Sequence, residues 1–433
     1  MRIKHINNSF FQITKNNTNV VFDPWIGEMP GTATWSYPNT NTKKSILNDL
    51  KPELIYISHL HSDHFDEEVL SKYKKKNTKI LIKNFNDQRL KNKIFKLGYK
   101  KIIEIDAWKT FNFKNFEFTI VPCDQSNSAG IDSSIFYDLD TSILVYDKIS
   151  KTCFYNNVDN PLKINSIKRV RDIAKKKYKK IDIASFGPRS ASEYPQCFIN
   201  IDRKKEKNKI IQQCFERTHE MIKTAKVKNF IPAGGSYCIT GKFNGLQRYV
   251  AHPTTKEIKN YFSKKKINVF NIDNCGELIV ENNNIIISQK GGKTKPIPKH
   301  LKNRKYHFEK LNNKIDLTKT FKLAKSKYHN ILNKIKVRKN FKINIYAYDN
   351  LEINSKNKIK KSSKLVNKFS LTNGNTNNKY YLLECHLDKK LFYSCMINKS
   401  NWNMALGGSS ILFLRKPNKF IPDISYSLNF LRT

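Results

Sequence analysis

Apolar and polar positions along the first part of the chain predict strands broken by tight turns. Residues 9–14 and 19–22 read as paired strands, and Asp23-Pro24 stops the second. Pro30, Gly31 and Pro38 mark a long irregular loop, followed by a short helix over 45–50. Leu54-Ile55-Tyr56-Ile57 is an unbroken apolar run, the pattern of a buried strand. Residues 66–75 then follow helical spacing, with Asp66 as N-cap and Phe65, Val69, Leu70 and Tyr73 as the apolar face.

Further strand patterns fall at 79–82, 101–105, 116–121, 134–137, 142–146, 152–155, 181–185 and 229–231. Helical patterns fall at 87–97, 163–177 and 208–224. This succession predicts sheets covered by helices. Residues 289–298 combine Gly, Pro and Lys without an acid and read as a crossing segment. Beyond them, a helix over 317–335 and strands over 342–348, 380–387 and 410–414 suggest a small α+β module. The expected organisation is a large domain over 1–290, a basic linker over 291–305 and the module over 306–433.

At 433 residues the chain exceeds one comfortable core, which agrees with a large and a small unit. The formal net charge of +44 points to acidic partners. Most of that charge is Lys in an Asn- and Ile-rich background, which equally fits a solvated surface, so nucleic acid is not the expected partner. The eight Cys form no C-x-x-C pair and read as reduced thiols. Met1 to His5 opens without an apolar leader, and no run of about 18 apolar residues occurs. A cytoplasmic chain without a transmembrane segment is expected.

The run His59-Leu60-His61-Ser62-Asp63-His64 directly follows the buried strand pattern and holds three of the ten His. Imidazole and carboxylate suit Zn, with Fe or Mn as alternatives. A loop at the end of a rigid strand can turn four such side chains toward one or two ions. His59 and His61 alternate and can face one metal; Asp63 and His64 start the next helix and can face a second.

The segment from Ile55 to Phe65 resembles the signature of metallo-β-lactamase-fold hydrolases. More narrowly it is similar to the hydrolase-fold portion of CMP-N-acetylneuraminate hydroxylase and its bacterial relatives. Val21-Phe22-Asp23-Pro24-Trp25, Phe154-Tyr155-Asn156-Asn157-Val158-Asp159 and Phe230-Ile231-Pro232-Ala233-Gly234-Gly235 with Ala251-His252-Pro253 resemble further motifs of that family. The resemblance implies a four-layer αβ/βα sandwich of the α+β class. It also implies that His59 and His61 bind a first metal and that Asp63, His64 and His252 bind a second. Asp159 would bridge the two, and Asp23 would hold a ligand His. Asp159 and Asp63 would be the catalytic carboxylates. The loop over 187–195 resembles a substrate-side loop of the same relatives, in which Arg189, Ser190 and Tyr194 would meet an anionic substrate.

Two departures narrow this picture. No His occurs between 65 and 158, where the family supplies a ligand to the first site. Cys123, Asp124 or Asp132 would have to stand in, or that site is incomplete. The chain also holds no Cys-x-His pair, as a Rieske centre requires. Gly234-Gly235-Ser236 and Gly241-Lys242 do not complete a phosphate-binding loop, because Phe243 follows.

The leading expectation is a hydrolase using metal-bound hydroxide on an ester, amide or phosphodiester bond of an acidic small molecule, nucleotide-sugar or lipid derived. The rivals are an iron-dependent oxidoreductase component working with a separate Rieske partner, a nucleic-acid-processing nuclease, and a non-catalytic scaffold.

Overall fold

A computed structural model describes all residues except 37–45, 75–76, 125–139, 282–283, 293–295, 312–314, 336, 338–339 and 376–379. The strand expected at 134–137 therefore lies outside the described residues, as does Asp132. Two sheets form the body of the molecule. One has eight strands in the order Asn284–Gln289, Gly276–Glu281, Arg2–Asn7, Phe10–Lys15, Thr18–Phe22, Leu54–Tyr56, Lys79–Lys83 and Ile102–Ile105. The other has seven, in the order Asn268–Val269, Asn229–Pro232, Ile183–Phe186, Thr152–Asn156, Thr141–Asp147, Phe116–Pro122 and Thr110–Phe113.

The alternation along these strands explains the layering. One face of each sheet points to a shared core containing Phe11, Phe22, Tyr56, Phe118, Ile143, Phe154 and Ile231. The opposite faces bury helices. Val69, Leu70, Leu90 and Ile94 pack on the first sheet; Ile167, Val170, Phe215 and Ile258 pack on the second. The result is the four-layer αβ/βα sandwich of the metallo-β-lactamase fold.

Strand Leu54–Tyr56 sits centrally, paired in parallel with Thr18–Phe22 and Lys79–Lys83, and all three residues are buried. Its C-terminal end opens into the loop that carries His59 to His64. Asp66 closes that loop by capping helix Glu67–Ser71, accepting from the amides of Glu68 and Val69. Its second oxygen accepts from Ile26 N at 3.2 Å, tying the loop to the neighbouring strand end.

The C-terminal module is a four-stranded sheet in the order Lys364–Asn373, Phe341–Asp349, Tyr381–Asp388 and Leu412–Lys416. Helix Leu317–Ile335 covers it with Phe321, Ala324, Tyr328 and Leu332, a stripe at helical spacing. Its core runs on without a break into the sandwich side, where Trp25, Met29, Phe198 and Phe243 join Phe341, Ile345 and Phe413. Phe198 and Phe413 also form a backbone bridge. Within the crossing segment, Arg304 reaches back to Glu28 Oε1 at 2.6 Å and donates to the Thr32 carbonyl at 2.8 Å. Among the described residues no helix is long and apolar enough to cross a membrane.

Candidate metal centre

The ligand loop begins at Ser58, which sequence reasoning passed over. Its hydroxyl donates to Asp23 Oδ2 at 2.7 Å and lies 2.9 Å from His59 Nδ1 and 3.4 Å from His64 Nδ1. Its amide donates to Asp23 Oδ1 at 2.7 Å. Asp23 is fully buried, and its Oδ2 stands 3.0 Å from His64 Nδ1. The inner ring nitrogens of His59 and His64 are thus engaged from below, leaving their Nε2 atoms turned toward the cavity.

Two groups of donors converge there. His59, His61 and Asp140 form one; Asp63, His64 and Asp159 form the other, with the donor atoms of each group within 4.8 Å of one another. His59 Nε2 lies 2.9 Å from His61 Nδ1 and 3.7 Å from Asp140 Oδ1. His64 Nε2 lies 3.4 Å from Asp63 Oδ2 and 3.2 Å from Asp159 Oδ2. Two ligands on one tetrahedral Zn at roughly 2.0–2.1 Å stand about 3.3 Å apart, so both groups have the spacing of a ligand set.

The electrostatics point the same way. Burial, helped by the neighbouring His64 and His61, holds His59 well below the ordinary imidazole range, so it is neutral and able to ligate. Burial also lowers His64, but the carboxylates of Asp63, Asp23 and Asp159 outweigh it and push it well upward. Asp140 is pushed up by burial, drawn down by His61, and pushed up again by Asp159. Three carboxylates crowding three imidazoles in a partly buried wall is a donor set that a divalent cation fits.

Asp140 was not among the residues expected to complete the first group. Of those that were, Asp124 faces elsewhere, accepting from Lys163 N and Ser166 Oγ at the start of helix Ile164–Tyr178. The Cys123 amide donates to the Asp140 carbonyl at 3.0 Å, and Cys123 belongs to neither donor group. A signal for Asp140 exists in the hairpin register. Ile143 pairs with Asn156, and continuing that pairing past the strand ends sets Asp140 opposite Asp159.

Asp159 is held by unusual backbone. Val158 before it has φ of 52°, a conformation a β-branched residue rarely adopts. Gly234 faces it with φ of 86°, and a Cβ there would lie 3.0 Å from Asp159 Oδ1. His252 belongs to neither donor group. Its ring packs edge-on against Tyr237 at 4.9 Å, and its Nε2 is buried with no hydrogen bond. Arg189 and Tyr194 line the cavity beside the donor groups, whereas Ser190 does not.

That cavity measures about 740 Å³. It is lined by five of the six donor residues and, from the C-terminal module, by Asn403, Met404, Arg415 and Tyr426 among others. Asn403 Nδ2 lies 2.9 Å from His61 Nε2. No local pattern in the chain announced that contribution.

A family model described as Beta-lactamase superfamily domain matches residues 2–138. The span includes Asp23 and the His59 to His64 loop and stops short of Asp140 and Asp159. Over 105 residues the chain is 28% identical to a Mycobacterium tuberculosis protein named for a Rieske 2Fe-2S iron-sulfur centre, and equally to a counterpart from Mycolicibacterium smegmatis. The match covers 24% of this chain and 20% of each relative, so it spans about a fifth of those proteins' length.

Among solved structures, the chain is similar to Igni18, a metallo hydrolase from Ignicoccus hospitalis, at 13% identity and a TM-score of 0.41, covering 63% of this chain and 94% of that one. It is similar also to CmlA, a diiron β-hydroxylase from Streptomyces venezuelae, at 14% identity and a TM-score of 0.43, covering 63% and 52%. Isothiocyanate hydrolase from Delia radicum gut bacteria gives 13% identity and a TM-score of 0.43, covering 65% and 99%. With its two-sheet sandwich and strand-end ligand loop the chain has the metallo-β-lactamase fold, and its residues 2–138 match the beta-lactamase superfamily domain.

Proposed function

We propose that this chain is a metal-dependent hydrolase that cleaves an ester, amide or phosphodiester bond in an acidic small molecule. The observation that carries this reading is the meeting of two ligand groups, His59–His61–Asp140 and Asp63–His64–Asp159, at one cavity that every one of these residues except the buried His64 lines. When bound there, a divalent cation supplies Lewis acidity and makes water a nucleophile near neutral pH.

The chain's own residues perform the remaining tasks. Ser58 and Asp23 orient the His59 and His64 rings from beneath. Asp159 Oδ2, close to His64 Nε2, is placed to accept a proton from water as that water attacks. Asp63 balances the charge of His64 from the other side. Asn403, Met404 and Tyr426 restrict solvent above the donor groups, which strengthens every electrostatic interaction inside. A nucleotide-sugar or lipid-derived acid is the substrate class we favour, with Arg189 and Tyr194 on the substrate side. His252 is a candidate to join the second group if its neighbours Gly234 and Gly235 shift on loading.

The test is elemental analysis of the purified protein and of a His61→Ala variant, with hydrolysis of neutral and anionic p-nitrophenyl esters. Stoichiometric Zn, Fe or Mn in the wild type, with less in the variant, is expected. Absence of metal from both after reconstitution removes the reading.

A second reading is favoured by the 28% identity to mycobacterial proteins named for a Rieske centre. It is an iron-dependent oxidoreductase component that receives electrons from a separate Rieske partner. Stoichiometric iron together with oxygen-dependent turnover separates it from the first.

A further inference from the structure

The cavity that the donor groups line also carries a cation of specific construction. Arg415 belongs to strand Leu412–Lys416, the last strand of the C-terminal module, and lines the cavity. Its guanidinium lies 4.6 Å from the ring centre of Tyr194 and 4.5 Å from that of Phe198. Those two rings meet edge to face at 5.1 Å and form a rigid seat for a planar cation. Asn418 Oδ1 accepts from Arg415 Nε at 2.9 Å and fixes the rotation of the fork. Asn418 Nδ2 in turn donates to the Tyr194 hydroxyl at 3.2 Å, which donates to Glu206 at 2.6 Å.

This arrangement engages Nε through Asn418, sets the guanidinium against the two adjoining rings and brings the Tyr194 hydroxyl to the fork, with no described carboxylate bonded to the paired terminal nitrogens. Among the described residues no carboxylate lies within 4.0 Å of them, although most part-buried Arg side chains have such a partner. Burial lowers the Arg415 pKa, and the nearby Tyr194 and Glu193 only partly restore it. Glu193 is itself raised by burial and only partly drawn down by Arg415, so it is no close counter-ion. Lys209 and Arg217 stand on the exposed rim of the same cavity and add positive potential at its mouth.

We propose that Arg415 is the anion receptor of this cavity, binding a carboxylate or phosphate of the substrate through its two terminal nitrogens while the scissile bond lies at the donor groups of the same cavity. The planar fork matches two oxygens of one anion, which Lys cannot reproduce. The substrate class that follows is a molecule with an anionic group at one end and a hydrolysable bond at the other. This assignment rests on the hydrolase reading for its second half only, since anion binding needs no metal.

The test uses the full chain, freed of metal by chelation, at 150 mM NaCl. Binding of inorganic phosphate and of glutarate is measured by calorimetry for the wild type, Arg415→Lys and Arg415→Ala. Melting temperatures of all three report folding. Binding of at least one anion is expected, weakened at least tenfold in Arg415→Ala and not restored in Arg415→Lys. The anion that binds tells a phosphoryl from a carboxylate substrate. Equal binding by a folded Arg415→Ala variant, or no binding of either anion by the wild type at millimolar concentration, overturns the proposal. Metal content, read separately, decides the hydrolase reading, so either can fail without the other.

Discussion

Asn403 and His61 touch across 342 residues of chain, the side-chain amide of one 2.9 Å from Nε2 of the other. With Nε2 engaged from the C-terminal module, Nδ1 is the His61 nitrogen turned toward His59. The module therefore acts on the candidate metal wall through a specific side chain as well as by covering it. Replacing Asn403 by Ala is expected to weaken metal binding at the His59–His61–Asp140 group about 10–100-fold, the usual cost of losing such a partner. Asn403→Asp, which exchanges the donating Nδ2 for an acceptor, is expected not to recover it. Metal titration of the three proteins checks this, and equal affinities would sink the idea.

Asp140 and Asp124 offer a paired test. Asp140→Asn is expected to reduce bound metal by the share of the first group while leaving the melting temperature nearly unchanged. Asp124→Ala is expected to leave metal content alone. It should destabilise the fold by about 1 kcal/mol, because Asp124 accepts from Lys163 N and Ser166 Oγ at a helix start. Elemental analysis and thermal melting of both variants decide it; the reverse pattern would reassign the ligand.

The contrast between these two aspartates shows what the chain made legible. His59 to His64 stood out because ligand-type residues crowd the end of an apolar strand, and strand ends are where a sheet can present side chains rigidly. Asp140 has no such neighbourhood. It becomes visible only through the register of the hairpin it precedes, which sets it opposite Asp159. Asn403 and Arg415 were illegible for a different reason. Their placement depends on the C-terminal sheet docking against Phe198, a long-range contact that no local period encodes. Many of the strands and the helices 164–178 and 317–335 followed from hydrophobic periodicity, which burial enforces locally, whereas the four-layer arrangement came from the family resemblance and strands such as Gly276–Glu281, Asn284–Gln289 and Lys364–Asn373 were not marked.

Gly234 is expected to tolerate no side chain. An added Cβ would sit 3.0 Å from Asp159 Oδ1, and the backbone there has φ of 86°. Gly234→Ala should cost about 1 kcal/mol of stability from backbone strain. It should also displace Asp159, lowering affinity at the Asp63–His64–Asp159 group more than at the other. Competition between metal and a chromogenic chelator, read in two phases, measures the split; loss confined to the first phase group of His59 and His61 would contradict it.

Two histidines away from the donor groups should make the metal-free fold acid-sensitive. Burial lowers His252 to about 3 and also lowers His5, whose ring stacks on Phe11. Unfolded His titrates near 6.5, so above that pH both states are neutral and the contribution is fully present. As pH falls below about 6.5 the unfolded chain takes up protons first, and stability is lost progressively toward the folded-state values. For His252 alone the loss at pH 5 is at most about 2 kcal/mol. Melting temperature from pH 7.5 to 5 should fall in the wild type and fall less in His252→Asn. An unchanged slope would show that His252 does not titrate as stated.

The unbroken core between the sandwich and the C-terminal sheet has a consequence for how the protein comes into being. The apolar cover of Trp25, Phe198 and Phe243 is completed only when Phe341, Ile345 and Phe413 have left the ribosome. Asn403 reaches His61 only after that docking. Synthesis thus imposes an order of assembly: the loop that carries His59 to His64 is made early, and its outer wall arrives last. A cation captured before then would meet a half-built, solvent-open shelf, so the complete donor wall is offered only in the closing moments of folding.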